Sequence, residues 1–491
     1  MTISKLTKIS DVLFRKKTFD GGSHLNSQMK RCLTILDVMF IAIGHMIGAG
    51  IYVLTGSVVR NQAGPAIILS FLFSGFAALL SAFSYAEFGA RFPRAGSAYT
   101  YSYVGMGEIW AFIVGWTVPL EYMIGNAAVA RSWSGYFDTL VYKSVSNWTL
   151  TNVGHLSDVL AFVIICGFTY ADFSLWSGTY PDGRSKFFPY GIQGAVSGAS
   201  TCFFAFIGFE ALATAGEEAK NPHRTIPLAT FSSLAIISVL YVLMGASLTL
   251  MVPYDQVDPD AAFAAAFEMK GATVAKIIMS VGALAGMLNN LVTGAFALPR
   301  AVYAMADDGL IFGWFGVINS RTKTPLNATI AFTIINSVLA LVFDLEALVD
   351  FMSIGTLLAY SMVSLCVVIL RHQKMLKDGS EEEYDDEGIS IRCATGALIF
   401  GYVCLALPFK TGIFSNAGGI ILLVVGAVPF VPFLPCLGLL INVFMMVYLN
   451  LMTWIRLFVW LAIGILIYIG YGIRHSKEAK KMKNTVVSSD M

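Results

Sequence analysis

Long apolar runs without charge recur along these 491 residues, and nothing else constrains the fold as strongly. Residues 411–455, for example, contain no Asp, Glu, Lys or Arg. Runs of about 20 such residues belong in hydrocarbon, where only a helix satisfies its own backbone polar groups. They predict spans near 36–57, 64–86, 108–140, 192–213, 226–252, 272–303, 327–344, 350–370, 393–409 and 454–473. Two shorter spans fit within 411–455, turned by Pro429, Pro432 and Pro435. Composition agrees with this class: charged residues make up 13% of the chain, against about 25% in soluble domains.

Lys and Arg in short loops set the orientation. Lys16, Lys17, Lys30 and Arg31 precede the first span, and Arg91 and Arg94 follow the second. Lys220–Arg224, Arg300 with Arg321 and Lys323, and Arg371–Lys377 mark later cytosolic loops, whereas acidic 253–270 fits the outside. Between 141 and 191 the only apolar run is Val159–Tyr170. Its twelve residues reach ~18 Å as a helix, short of a hydrocarbon core of about 30 Å. If it crossed, every later basic loop would move outside. Twelve spans with both termini cytosolic are therefore predicted. The polar first thirty residues predict no cleavable signal peptide. Asn147-Trp148-Thr149 is a glycosylation sequon on the predicted outer side. The seven cysteines (Cys32, Cys166, Cys202, Cys366, Cys393, Cys404 and Cys436) lack metal-type spacing and are expected as free buried thiols. No cofactor, metal centre or nucleic-acid patch is expected.

Glycines interrupt two of the predicted helices. The first span carries Ile47-Gly48-Ala49-Gly50-Ile51-Tyr52, and a later one Phe204-Ala205-Phe206-Ile207-Gly208-Phe209-Glu210. Glycine costs a helix interior about 1 kcal/mol relative to alanine. Such runs serve either close helix packing or an unwound break whose free N–H groups meet an anionic ligand group. Two breaks in corresponding positions are the sequence pointer to an inverted-repeat transporter.

Further stretches sharpen this. Tyr85-Ala86-Glu87-Phe88-Gly89-Ala90-Arg91, Thr214-Ala215-Gly216-Glu217-Glu218, Pro299-Arg300-Ala301-Val302-Tyr303 and Val349-Asp350-Phe351-Met352-Ser353-Ile354-Gly355-Thr356 accompany the two breaks. Over 35 to about 475 the chain resembles the cationic amino acid transporter family of the amino acid–polyamine–organocation superfamily. The resemblance implies an all-α polytopic membrane protein, a LeuT-type inverted-repeat core with about 12 spanning helices. It also implies an incomplete first repeat. The family has two helices between span three and the second broken helix; here one is absent, and Val159–Tyr170 resembles the tail of the other. A basic linker expected between the last three helices is missing too, so the chain has the form of a splice variant or faulty gene model. The expected organisation is a cytosolic tail 1–34, transporter core 35–373, acidic linker 374–392, C-terminal membrane helices 393–473 and basic tail 474–491.

By motif, the resemblance assigns the substrate backbone to Gly48, Ala49 and Gly50 and to Phe206, Ile207, Gly208 and Phe209. For the side-chain charge it points to Glu108, whose competing role is that of a helix-start carboxylate. Glu121, ~20 Å further along its helix, is a costly intramembrane acid and a functional candidate by default. Asn289 and Asn290 stand where the family has small hydroxyl residues, and line the pocket or bond between helices. Glu210 replaces an expected Asp. Glu87 and Arg91, four apart, read as a structural pair. His45 is either a proton relay or a packed neutral imidazole.

The expected function is alternating-access transport of cationic amino acids, facilitated and potential-driven, in the plasma membrane or alternatively the lysosomal membrane. A non-transporting amino acid sensor is the second reading and a channel the third. An enzyme is not expected. Partners are an amino acid substrate and the lipid bilayer. A disulfide-linked heavy chain would need a Cys after span three, and 141–156 has none.

Overall fold

A computed structural model of the chain describes residues 13–17, 33–48, 50–91, 97–141, 156–181, 183–209, 219–259, 261–319, 321, 324–343, 345–372 and 433–480. Outside them lie Ala49, Asn147, Glu210, the Gly216–Glu218 run, the linker 374–392, the predicted span 393–409 and its short successor; the Arg91 side chain is likewise not described. Among the described residues the chain is helical, with two isolated backbone bridges, Leu33 with Ala219 and Thr179 with Ser185.

α1 (Ile35–Met46) starts on a capping box. The Thr34 hydroxyl accepts from the Asp37 N–H while the Asp37 carboxylate accepts from the Thr34 N–H, so two orphan donors of the first turn are satisfied. The helix stops where Ile47 turns extended (φ −74°, ψ 100°). Helix resumes at Gly50 as a π turn (Gly50–Leu54), an α turn α2 (Thr55–Val58) and a second π turn (Val59–Ala63). π turns are rare and gather at functional sites. Gly64, at φ 61°, separates this segment from α3 (Ile67–Arg91).

The short α4 (Ser97–Gly105) leads into α5 (Glu108–Val141), whose 34 residues extend ~51 Å. α6 (Leu156–Thr169) has 14 residues, ~21 Å. α7 (Gly191–Cys202) tightens into a 3-10 turn, Phe203–Phe206. Then follow α8 (Pro222–Met251), α9 (Ala262–Met269), α10 (Thr273–Asp307), α11 (Leu326–Val342), α12 (Leu345–His372), α13 (Phe433–Tyr448) and α14 (Leu451–Ile467). Among the described residues, five helical stretches are long and apolar enough to cross a bilayer: Gly50–Ala90, Pro222–Met251, Thr273–Val292, Leu348–Ile369 and Leu451–Lys480.

α3 packs along α8, and α5 along α10 and α12, around a continuous apolar core. α14 is fastened from outside this core. Trp116 and Trp460 stack at 4.7 Å, and each indole N–H donates to the other's backbone carbonyl (2.9 and 3.0 Å). The outer face of α14 leaves Leu451, Ile455, Phe458 and Leu466 exposed, as lipid contact requires. Among the described cysteines, Cys166, Cys202, Cys366 and Cys436 are free thiols.

Candidate functional site

The two glycine-interrupted helices cross at their breaks. A Cβ on Gly50 would lie 2.5 Å from the Ala205 Cα, so only glycine lets the two backbones approach this closely. Gly208 holds φ 125°, which L side chains avoid, and a Cβ there would meet the His45 ring at 2.6 Å. Leu33 accepts a backbone hydrogen bond from Lys220 (3.1 Å). The pairs 33 with 220, 45 with 208 and 50 with 205 run in opposite chain directions, the relation that an inverted repeat imposes.

Each break releases backbone groups. Ile47 and Ile207 are both extended, ending their helical turns. The Tyr241 hydroxyl, brought in by α8, bridges them: it lies 2.8 Å from the Met46 carbonyl and 3.0 Å from that of Ala205. Its single proton is shared between one carbonyl from each broken helix. Tyr241 is fully buried and its ring stacks edge-on against Phe206 (5.2 Å). On the other side of the first break, Gly50 opens a helical segment that runs to Ala63. Its leading N–H groups carry the positive end of the peptide dipoles, and of these the Tyr52 N–H donates to the Gly48 carbonyl at 3.5 Å.

A cavity of about 490 Å³ of atom-free space, part of it open to solvent, lies at this crossing. α1 and its break contribute His45, Met46 and Gly50, and the second break Phe204 and Ile207. From α5 come Glu121, Tyr122, Gly125, Asn126 and Val129; from α10 Asn290 and Gly294; from α12 Met352. The α5 residues recur at helical spacing, so one face of that helix walls the site. Glu121 is 5% exposed and Asn126 7%. The Asn126 amide sits on Gly294 and the Asn290 amide on Gly48, against the first break itself. The arrangement offers donors for a carboxylate, carbonyls for an ammonium, an acid for a cationic side chain, and an apolar wall of Phe204, Ile207, Val129 and Met352.

Sequence candidates divide between this cavity and other places. Gly50, Ile207, Glu121 and Asn290 line it; Gly48 and Gly208 build its walls. Phe206 packs on Tyr241, and Phe209 sits 4.9 Å from Tyr360 and 5.6 Å from Tyr85 in a buried aromatic cluster. Asn289 is exposed. Phe204, Tyr122, Gly125, Asn126, Val129, Gly294 and Met352 also line the cavity and are not among the substrate-site residues expected from sequence, although Phe204 and Met352 lie within the quoted motifs. Helical periodicity from Glu121 and Asn290 would have found most of them; Phe204 and Met352 carry no such signal.

Glu108 is not a lining residue. It is fully buried in the first turn of α5 and accepts from four donors: Arg15 (3.4 Å), Tyr103 (2.8 Å), Tyr468 (2.9 Å) and Ser476 (2.6 Å). Nearby, Asp308 accepts from Lys17 (2.7 and 2.9 Å) and Tyr99 (2.6 Å), and its carbonyl from the Lys477 N–H (3.0 Å). The N-terminal segment, the starts of α4 and α5, the end of α10 and the C-terminal segment thus close one end of the molecule.

Known proteins decide the family. A family model for amino acid permeases matches residues 33–156 and 153–465. Human cationic amino acid transporter 4 is 37% identical over 594 aligned positions, covering 98% of this chain and 93% of that one. The chain belongs to the cationic amino acid transporter family. Arabidopsis thaliana cationic amino acid transporter 1, also a member, is 32% identical, covering 92% of this chain and 84% of its own. Because the human alignment has more positions than this chain has residues, at least 594 − 491 = 103 of them are gaps opposite that transporter. The permease match falls into two segments that meet and overlap at 153–156. Among solved structures, MhsT in complex with L-phenylalanine superposes with a TM-score of 0.50 at 15% identity, over 69% of this chain and 90% of that one. The family member therefore has a LeuT-type fold. It is a multi-pass membrane protein of amino acid transport, not an enzyme.

Proposed function

We propose that the chain carries cationic amino acids such as arginine, lysine and ornithine by alternating access through this cavity. One observation carries the reading: the Glu121 carboxyl stands in the wall of a cavity bounded by both helix breaks. The substrate carboxylate meets the N–H groups that begin at Gly50, with Gly48 beside it; Ala49 is assigned to the same role by the family motif alone. The α-ammonium meets the carbonyl ends of α1 and of the 3-10 turn. Glu121 neutralises the side chain, and Asn290 and Asn126 hold its polar groups. Relatives named for cationic amino acids support the same substrate class. Transport is facilitated, since the membrane potential supplies ~2.3 kcal/mol per charge per 100 mV. We assign the plasma membrane as its site, Asn147 as a glycosylated residue and Glu108 to closure of the inner end.

A sensor that binds without completing transport is the second reading, favoured by the helix missing from the first repeat. Labelled-arginine uptake and binding, measured separately on this chain after confirming surface delivery, separate the two. Potential-dependent uptake supports the transporter. Binding without uptake supports the sensor.

A further inference from the structure

Two ionisable side chains of opposite potential charge share the cavity: Glu121 from α5 and His45 from the last turn of α1. The His45 ring lies beside Gly208, where a Cβ would approach it to 2.6 Å, at the crossing of the two breaks. Tyr122 is the other titratable lining residue, and it is uncharged near neutrality. From α8, packed along α1, the Tyr241 hydroxyl reaches the neighbouring Met46 carbonyl, while His223 and Arg224 lie in the first turn of α8, far along the helix. α10 presents the uncharged Asn290; its Lys276 and Arg300 are several turns away on either side. α12 contributes Met352, with Asp350 two residues before it and outside the lining.

The cavity's charge therefore depends on one imidazole. With His45 neutral and Glu121 ionised, the lining carries one negative charge, which a cationic substrate side chain cancels. With His45 protonated, the lining is neutral before any substrate enters, and the same side chain arrives as an uncompensated charge. Imidazole is the side chain whose ordinary pKa, about 6.5, makes this exchange within the range met by cell surfaces and acidic compartments.

We propose that His45 is a specificity-determining residue that switches the cavity from cationic to neutral amino acids as pH falls. This rests on reading the cavity as the amino acid site. Arginine and citrulline are suitable probes: they have nearly the same shape, and only arginine keeps a side-chain charge throughout the interval. The full chain, reconstituted in vesicles at a clamped membrane potential, is assayed for uptake of both at about pH 8 and about pH 5.5, with equilibrium binding measured in parallel. The ratio of arginine to citrulline should fall at least about tenfold on acidification, the scale of a unit charge placed a few ångströms away. In His45→Asn, and in His45→Gln as a second variant should the first not fold, the ratio should stay flat. An unchanged pH slope in both His45 variants overturns the proposal. So does a slope lost only in Glu121→Gln, since Glu121 would then be the titrating group. Wild-type protein that binds neither amino acid overturns the cavity reading itself, a result distinct from either slope outcome.

Discussion

Glu121 and Asn290 are both polar residues inside long apolar helices, and the bilayer makes each of them expensive unless the fold gives it work. Glu121→Gln keeps the volume and removes the charge. Hydrogen bonds to a charged group contribute about 1.5–3 kcal/mol, so arginine binding should weaken about 10- to 100-fold while a neutral amino acid is held nearly as before. Equal losses for both substrates would remove Glu121 from side-chain recognition. Gly50 operates by absence. Gly50→Val would drive methyl groups into the Ala205 backbone, a contact that flexible side chains cannot relieve. Overpacking of this kind costs about 1–3 kcal/mol, and here it would separate the breaks. Substrate binding should be lost in a protein that still reaches the membrane, and retained binding would contradict the close crossing.

At the scale of elements, α8 holds the two broken helices in register through one hydroxyl. Tyr241→Phe leaves the ring stacked on Phe206 and removes only the oxygen shared by Met46 and Ala205. Leaving a buried carbonyl unsatisfied costs about 1–3 kcal/mol. The melting temperature of the purified protein should fall by about 1–3 °C, and substrate should restore part of that loss by rigidifying the same crossing. A melting temperature unchanged by the substitution would mean that the hydroxyl bears no load. Helix identity and the positions of both breaks were legible from the sequence, because glycine-rich interruptions of apolar runs stand out locally. α6 has 14 residues, ~21 Å, where the sequence has a single short apolar run, 159–170. Tyr241 was not legible. A tyrosine in an apolar helix looks like core packing until two carbonyls from distant segments come within reach of it.

Across the whole molecule, the segments that meet at Glu108 and Asp308 are those whose basic residues had assigned them to the cytosol. Arg15 and Lys17 precede the first span, and Ser476 and Lys477 follow the last. Their convergence on one end is what a single cytosolic face requires. Arg15 is 6% exposed, so Glu108→Ala would remove a carboxylate that faces a buried cation. Breaking such a pair by removing one partner costs about 3–5 kcal/mol. The inner end should then open more readily: a cysteine introduced at Ser102, in α4 beside the clasp, should react faster with a membrane-impermeant thiol reagent applied from the cytosolic side. Unchanged labelling would mean the clasp serves folding rather than closure. The site residues divide along the same line. Glu108 has the composition of a cation-binding acid, but four donors within the protein already occupy its oxygens.

What the sequence determined by itself was local and periodic: helices, their apolar lengths, their interruptions, and the family resemblance carried by contiguous motifs. Each follows from neighbours within a few turns, where burial in lipid and backbone hydrogen bonding leave few alternatives. Only the tertiary structure decided which candidates share a cavity. It set His45 against Gly208 and Tyr241 across two breaks, drew Phe206 and Phe209 into aromatic clusters, and saturated Glu108 with partners from both ends of the chain. Those outcomes depend on how helices remote in sequence rotate and cross, and no local pattern encodes an angle between two helices.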